Sequence, residues 1–104
     1  MVTMDKKALS RYFKAFSDLS RLTILELLAR KDLTVNEITA QMGLTQSAVS
    51  RHLGILRAAE VVEATRDGQN VIYSLNKEKV CICCDDFCCN LNVTSETKGK
   101  KSKK

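Results

Sequence analysis

Apolar positions recur with helical spacing through most of this chain, and strict alternation of apolar and polar residues is confined to one short stretch. Leu9, Tyr12, Phe13 and Phe16 stand at i, i+3, i+4 and i+7, which predicts a helix with one apolar face, suited to a core or to a face shared between subunits. A second helix, capped by Asp18 or Ser20, runs through Leu22, Ile24, Leu25, Leu27 and Leu28 to the polar Arg30, Lys31 and Asp32. Apolar residues nearly surround it, so it is expected at the centre of the fold. Thr34 followed by Glu37 has the spacing of a capping box, opening a short helix that buries Val35, Ile38 and Met42 and stops at Gly43. Thr45 caps the next helix, whose inward face is Val49, Leu53 and Leu56.

Two β-rich runs follow, over residues 61–66 and 69–75. Asp67 and Gly68 join them, a pair suited to the type I′ turn, in which both central residues take positive φ. Val71, Tyr73 and Leu75 alternate, so one side of the hairpin packs on the helices and the tip, with Arg66, Gln69 and Asn70, faces outward. A last helix over residues 77–91, capped by Asn76, places Val80, Cys84, Phe87, Cys88 and Leu91 on one stripe, with Cys81 close to it and Cys83 and Cys89 off it.

The helix after Thr45 is informative for its outward face. It carries Gln46, Ser47, Ser50, Arg51 and Gly54, and no carboxylate occurs between Gln41 and Ala59. A helix entering the major groove of DNA needs that character. Short side chains permit close approach, amides and Arg read base edges, and negative charge would repel phosphate. An ordinary solvent-facing helix mixes Glu with Lys. The helix, turn, helix order that precedes it agrees with DNA contact, and the hairpin tip beside it is placed to touch backbone phosphates.

Length and charge bound the picture. The 104 residues, with 44 % hydrophobic, suit one small domain with a limited core, and such domains often gain stability by dimerising. No apolar stretch is long enough to span a membrane, and the polar N-terminus is not a signal peptide, so a cytoplasmic protein is expected. The net charge is +5, but five Lys against Glu96 in residues 91–104 supply +4, leaving +1 for residues 1–90. The chain therefore divides into a domain over residues 1–90 and a basic tail over residues 91–104. The tail has almost nothing apolar to bury, which predicts a disordered, solvated end; nonspecific attraction to phosphate is the alternative.

All five cysteines fall within nine residues: Cys81, Cys83, Cys84, Cys88 and Cys89. In a reducing compartment that clustering points to metal or redox chemistry rather than to a disulfide framework. Packing as small buried hydrophobes is the plainer alternative.

Phe16, Asp18, Arg21, Leu22, Ile24 and Leu25, then LTQSAVSRHLGILRAAEVV and the hairpin RDGQNVIYSL, together resemble the ArsR/SmtB family of winged-helix metalloregulatory repressors. The likeness covers residues 8–76 and is most specific in QSAVSRHLGILRAAEVV with its following hairpin. It implies a mainly α fold with a β-hairpin wing, a winged helix-turn-helix. It also implies a homodimer that binds an inverted repeat in double-stranded operator DNA and leaves it when a metal or metalloid binds. Carried onto this chain, the recognition residues are Gln46, Ser47, Ser50, Arg51 and His52, with Arg66 and Gln69 in the wing. Two departures matter. Where many arsenic sensors of the family carry C-V-C before the recognition helix, residues 35–39 read VNEIT, without a thiol. Zinc-type members use Asp, His and Glu on the last helix, whereas His52 is the only histidine here. The inducer site is therefore expected among the C-terminal cysteines, an arrangement that some family members also have.

Soft ions bound by thiolates at about 2.3 Å need sulfurs within roughly 4 Å of one another. Cys84 and Cys88, one turn apart, meet that, whereas Cys81 and Cys88 are separated by about 10 Å of helix rise. A three-sulfur site needs the helix to fray at Cys83 and Cys84, so that this pair joins Cys88 or Cys89, or needs a thiol from a partner subunit. An all-sulfur set selects As(III), Sb(III), Cd(II), Pb(II), Cu(I) or Zn(II). The resemblance favours As(III), acting through Cys83, Cys84, Cys88 and Cys89, with Cys81 as a further candidate. Reversible thiol oxidation of the same cysteines is the other reading. An enzyme is not indicated: there is no second histidine and no Gly-rich phosphate loop.

Overall fold

Every helix among the described residues begins at a side chain that accepts a hydrogen bond from the otherwise unsatisfied N–H three residues on, and these five caps set the order of the architecture. In this computed structural model, residues 5–91 are described, except for the side chains of Asp86, Cys89 and Asn90. The caps are Asp5 for α1 (Lys6–Ala15), Asp18 for α2 (Leu19–Arg30), Thr34 for α3 (Val35–Met42), Thr45 for α4 (Gln46–Ala58) and Asn76 for α5 (Lys77–Asn90). At Thr34 the capping box is complete: Glu37 N–H donates to Thr34 Oγ1 at 3.2 Å and Thr34 N–H donates to Glu37 Oε1 at 2.9 Å. Gly43, at φ 71°, ends α3 in the left-handed conformation that glycine adopts without steric cost.

The end of α4 is less ordinary. Glu60 takes φ 67°, Glu60 N–H donates to Arg57 O and Val61 N–H donates to Leu56 O. This is the Schellman arrangement with a glutamate where glycine is usual. It turns the chain sharply into β2 (Val62–Asp67), which pairs antiparallel with β3 (Asn70–Leu75). Asp67 and Asn70 are themselves a paired couple, so the loop is Gly68 and Gln69, one residue later than the expected Asp67 and Gly68. Only Gly68 has positive φ, 66°, which is the need of a type II′ turn rather than type I′. The sheet also has a third strand that the periodicity did not predict: β1 (Leu33–Thr34) pairs with β3 through Leu33 with Tyr73 and Thr34 with Ile72, giving the order β1-β3-β2.

The core lies where α2, α3 and α4 meet the sheet. Ile24, Ile38, Val49, Leu53, Leu56 and Val61 are fully buried. Helix α2 is central only on one side; Ile24 and Leu28 face inward, while Leu19 and Leu22 near its start are exposed. Helix α5 lies on α1, with the rings of Phe13 and Phe87 edge to face at 4.7 Å between centroids. Its inward side carries Val80 and the fully buried Cys83, while Phe87 covers Phe13 at the edge and stays partly open to solvent. That corrects the expectation that Cys84 and Cys88 line the packed stripe with Cys83 off it. Both lie outside the core, Cys84 exposed and Cys88 partly so. No helix among the described residues is long and apolar enough to cross a membrane. The lysines of the basic tail lie outside the described residues.

Candidate DNA interface and thiol helix

Burial of Val49, Leu53 and Leu56 fixes the rotation of α4, and the fixed rotation turns Gln46, Ser47, Ser50, Arg51 and Gly54 to solvent. A Cβ placed on Gly54 would meet nothing within 4 Å, so the middle of this face is flat and open. The wing residues Arg66 and Gln69 are exposed as well. Gln69 comes close to the recognition helix: it lines one groove with Gln46, Asn70, Asn36, Thr34 and Val71. The start of α3, the start of α4 and the tip of the wing therefore share a surface rich in carboxamides. Within it Gln46 Nε2 donates to Asn36 Oδ1 at 3.2 Å. Arg66 is not among the lining residues of that groove.

His52 stands apart from this face. Its side chain is only 13 % exposed and sits against α2, where Arg21 Nη1 lies 3.2 Å from His52 Nδ1. A guanidinium has only donors, so Nδ1 accepts and the neutral ring carries its hydrogen on Nε2. Arg21 also donates from Nε to Ala15 O at 2.9 Å and from Nη2 to Lys14 O at 3.2 Å. One side chain thus joins the end of α1, the start of α2 and the middle of α4. Asp18 completes the group, with Oδ2 at 4.0 Å from His52 Nδ1. The backbone N–H of Arg21, which donates to the Asp18 carboxylate, holds that carboxyl below its ordinary value, and the positive charge of Arg21 adds to that. Sequence reading singled out Arg21 only by resemblance; the bridge across 31 residues has no local signal.

On α5 the thiols divide by face. Cys81 and Cys84 are exposed, Cys88 is partly exposed, and all three are free. At i, i+3 and i+7 they share one stripe, on the side away from Cys83. The side chain of Cys89 lies outside the described residues. Among the described residues, no three His, Cys, Asp or Glu side chains are grouped closely enough to hold an ion. Within one chain, then, the unbroken helix brings together the neighbouring pair Cys84 and Cys88, and it keeps Cys83 facing the core.

The base of α5 is tied to the end of α4. Asn76 N–H donates to Val61 O at 2.8 Å, and Asn76 Nδ2 donates to Glu60 O at 3.3 Å and to Glu63 Oε2 at 3.2 Å. Lys79 Nζ meets Glu60 Oε1 at 2.9 Å. The helix that carries the thiols and the helix that presents the carboxamide and serine face are therefore joined through residues 60–63.

The family profile described as bacterial regulatory protein, arsR family, matches residues 18–64, from the cap of α2 into β2. Among solved structures, HlyU from Vibrio cholerae N16961 is 34 % identical with a TM-score of 0.66, covering 76 % of this chain and 90 % of that one. The transcriptional repressor BigR from Xylella fastidiosa is 26 % identical with a TM-score of 0.63, over 72 % of this chain and 78 % of its own. NolR from Sinorhizobium fredii is 26 % identical with a TM-score of 0.68, over 90 % of this chain and all of that one. No curated protein sequence matches the chain.

Proposed function

The chain belongs to the arsR family of bacterial regulatory proteins, and on that premise we propose that it is a homodimeric repressor released from operator DNA when As(III) or Sb(III) binds the thiolates of α5. It is a transcriptional regulator of winged helix-turn-helix fold, not an enzyme. The carboxylate-free face of α4 enters the major groove, Arg51 meets phosphate or a base edge, and Arg66 and Gln69 of the wing follow the adjacent backbone.

Dimerisation is supported by the apolar surface along α1 and α5, where Phe13, Phe87 and Leu91 remain exposed and, with Leu9, line one groove. A second copy packed there would hold two α4 helices at the spacing of successive major grooves, about 34 Å. The observation that carries the inducer reading is the exposed stripe of Cys81, Cys84 and Cys88 on the helix whose first turn is bonded to the end of α4. Arsenite condenses with each thiol to form an As–S bond and release one water. Cys84 and Cys88 supply two such bonds without disturbing the helix. A third comes from Cys89, from a partner subunit, or from Cys83 if α5 unwinds and draws that side chain out of the core. Each route shifts α5 relative to residues 60–63 and so biases the dimer away from its DNA-bound form, with a coupling of about 1 to 3 kcal/mol typical of such linkage. Cd(II), Pb(II) and Zn(II) are the alternative ions for the same thiols.

A thiol-redox reading is favoured by one feature: Cys84 and Cys88 stand one turn apart on the solvent side of α5, and no group of three ligating side chains among the described residues is close enough to hold an ion. The deciding experiment follows the anisotropy of a labelled duplex from upstream of the chain's own gene, bound by the reduced full chain. Release by arsenite but not by Zn(II), lost when Cys84 and Cys88 are both changed to Ser, is the expected result. Release by peroxide alone establishes the redox reading, and a complex that resists both removes the thiols from regulation.

A further inference from the structure

We infer that Asn36, on α3, determines sequence specificity by positioning the carboxamide of Gln46 for adenine. This rests on the DNA-binding reading and adds to it a residue outside the recognition helix and the wing. A carboxamide on an exposed side chain turns freely and offers either its oxygen or its NH2 to a base edge. In this protein the choice is constrained. Asn36 Oδ1 accepts one hydrogen from Gln46 Nε2 at 3.2 Å, and Asn36 itself stands on the first turn of α3, which is closed by the complete capping box at Thr34. Rotation of the Gln46 amide alone by a half turn would set oxygen against oxygen and lose the bond.

Fixing one amide hydrogen leaves a defined pair on the free edge of Gln46, one N–H and the carbonyl oxygen, lying in one plane. That pair is complementary to the N7 acceptor and the N6 amino donor that adenine presents in the major groove, and it does not fit the two acceptors of guanine. Gln46 is the first residue of α4, where a recognition helix approaches the base edges most closely. The groove it shares with Asn36 also holds Gln69 and Asn70 at the wing tip, so the reading edge and the backbone-contacting hairpin are set by one surface. Asn36 is exposed, and among the described residues its side chain bonds to Gln46 alone, so it is not required for the core.

The test selects duplexes from a random pool with the full-length chain, then measures affinity for the selected duplex, for single base-pair replacements at each position, and for a scrambled duplex. Wild type is expected to select adenine at one position in each half-site and to disfavour its replacement by guanine by about ten-fold or more. Asn36→Ala should lower that discrimination to within about three-fold, keep the affinity for the scrambled duplex, and melt as wild type does. Gln46→Ala should lose the same discrimination, and the double variant should be no worse than Gln46→Ala alone, because the two residues act as a unit. Asn36→Asp retains the acceptor, so it should keep the adenine preference while weakening every duplex alike through its added negative charge. Unchanged discrimination in Asn36→Ala, or a loss spread evenly over all duplexes, overturns the assignment while leaving DNA binding intact. A wild-type chain that does not distinguish selected from scrambled DNA overturns both.

Discussion

Lys79 Nζ lies 2.9 Å from Glu60 Oε1, joining the first turn of α5 to the left-handed residue that ends α4. The Lys79 hydrogen bond and charge hold the Glu60 carboxyl below its ordinary 4.5, and the same bond, with one involving Tyr12, raises Lys79 above its ordinary 10.5. For the depressed carboxyl, the stabilisation is complete above pH 4.5 and fades as pH falls through the lower folded value. For the raised ammonium, it is complete below pH 10.5 and fades as pH rises through the higher folded value. Lys79→Met should therefore lower the melting temperature slightly between these limits, because Glu60 is solvent-exposed and Lys79 only partly covered, and the difference from wild type should shrink toward both extremes. Parallel curves across the whole range, measured by circular dichroism, would show that the pair contributes nothing of this kind.

Arg21 supplies three hydrogen bonds in different directions, to Ala15 O, Lys14 O and His52 Nδ1. A lysine at this position keeps the charge but cannot span the three acceptors, since its donors sit on one atom. Arg21→Lys is expected to destabilise the fold by about 2 kcal/mol in urea denaturation, the order of one or two hydrogen bonds to a charged group. It should also weaken DNA binding, because His52 holds the flank of α4 on this bridge. Full stability in the lysine variant would mean that the fork is incidental.

The thiols differ in what their removal does to the fold. Cys83 fills core space at 0 % exposure, so Cys83→Ala should cost about 1 kcal/mol, the order of one deleted core atom with its cavity. Cys84→Ala and Cys88→Ala should stay within about 0.5 kcal/mol of wild type, as surface changes usually do. Alkylation of the native chain, mapped by mass spectrometry, should modify Cys81 and Cys84 quickly and Cys83 only at the rate of opening. Equal rates at Cys83 and Cys84 would mean that α5 is not seated as described.

What could be read from the residues depended on how local its cause is. Thr34, Thr45 and Asn76 are legible as caps, and Asp18 as one of two candidates with Ser20, because each acts within three residues of itself, and Gly43 because its left-handed backbone is a property of that residue. The sequence pattern puts the hairpin loop one residue early because Asp-Gly and Gly-Gln both suit two-residue loops. The choice between them is made by register with Val62 and Leu75 at the far ends of the strands. Strand β1 is two residues long and exists only through Tyr73 and Ile72, some 40 residues away. The sequence pattern leaves the phase of α5 open because cysteine is apolar enough for either face, and only the packing of Phe87 on Phe13 decides which thiol turns inward. The outward face of α4 was legible from composition, whereas Asn36 and the Arg21 bridge depend on neighbours brought together by the fold.

Gly54 separates the demands of folding from those of binding. It lies inside α4 with no left-handed backbone to require it and no atom within 4 Å of where a Cβ would stand. In a helix interior alanine is favoured over glycine by about 1 kcal/mol, so Gly54→Ala should raise the melting temperature of the free chain. Nothing inside the protein gains from the missing side chain, which leaves the space above it as the reason for the glycine. Gly54 is seven residues from Ser47 and four from Ser50, hence on the face proposed to enter the groove. The added methyl should hold that face away from the duplex and weaken specific binding while the protein itself becomes more stable. Anisotropy and thermal melting on the same variant decide it: a more stable protein that binds DNA as tightly as wild type would show that α4 does not approach the bases closely at Gly54, and the contact would then have to lie nearer Gln46 and Ser47 at the start of the helix.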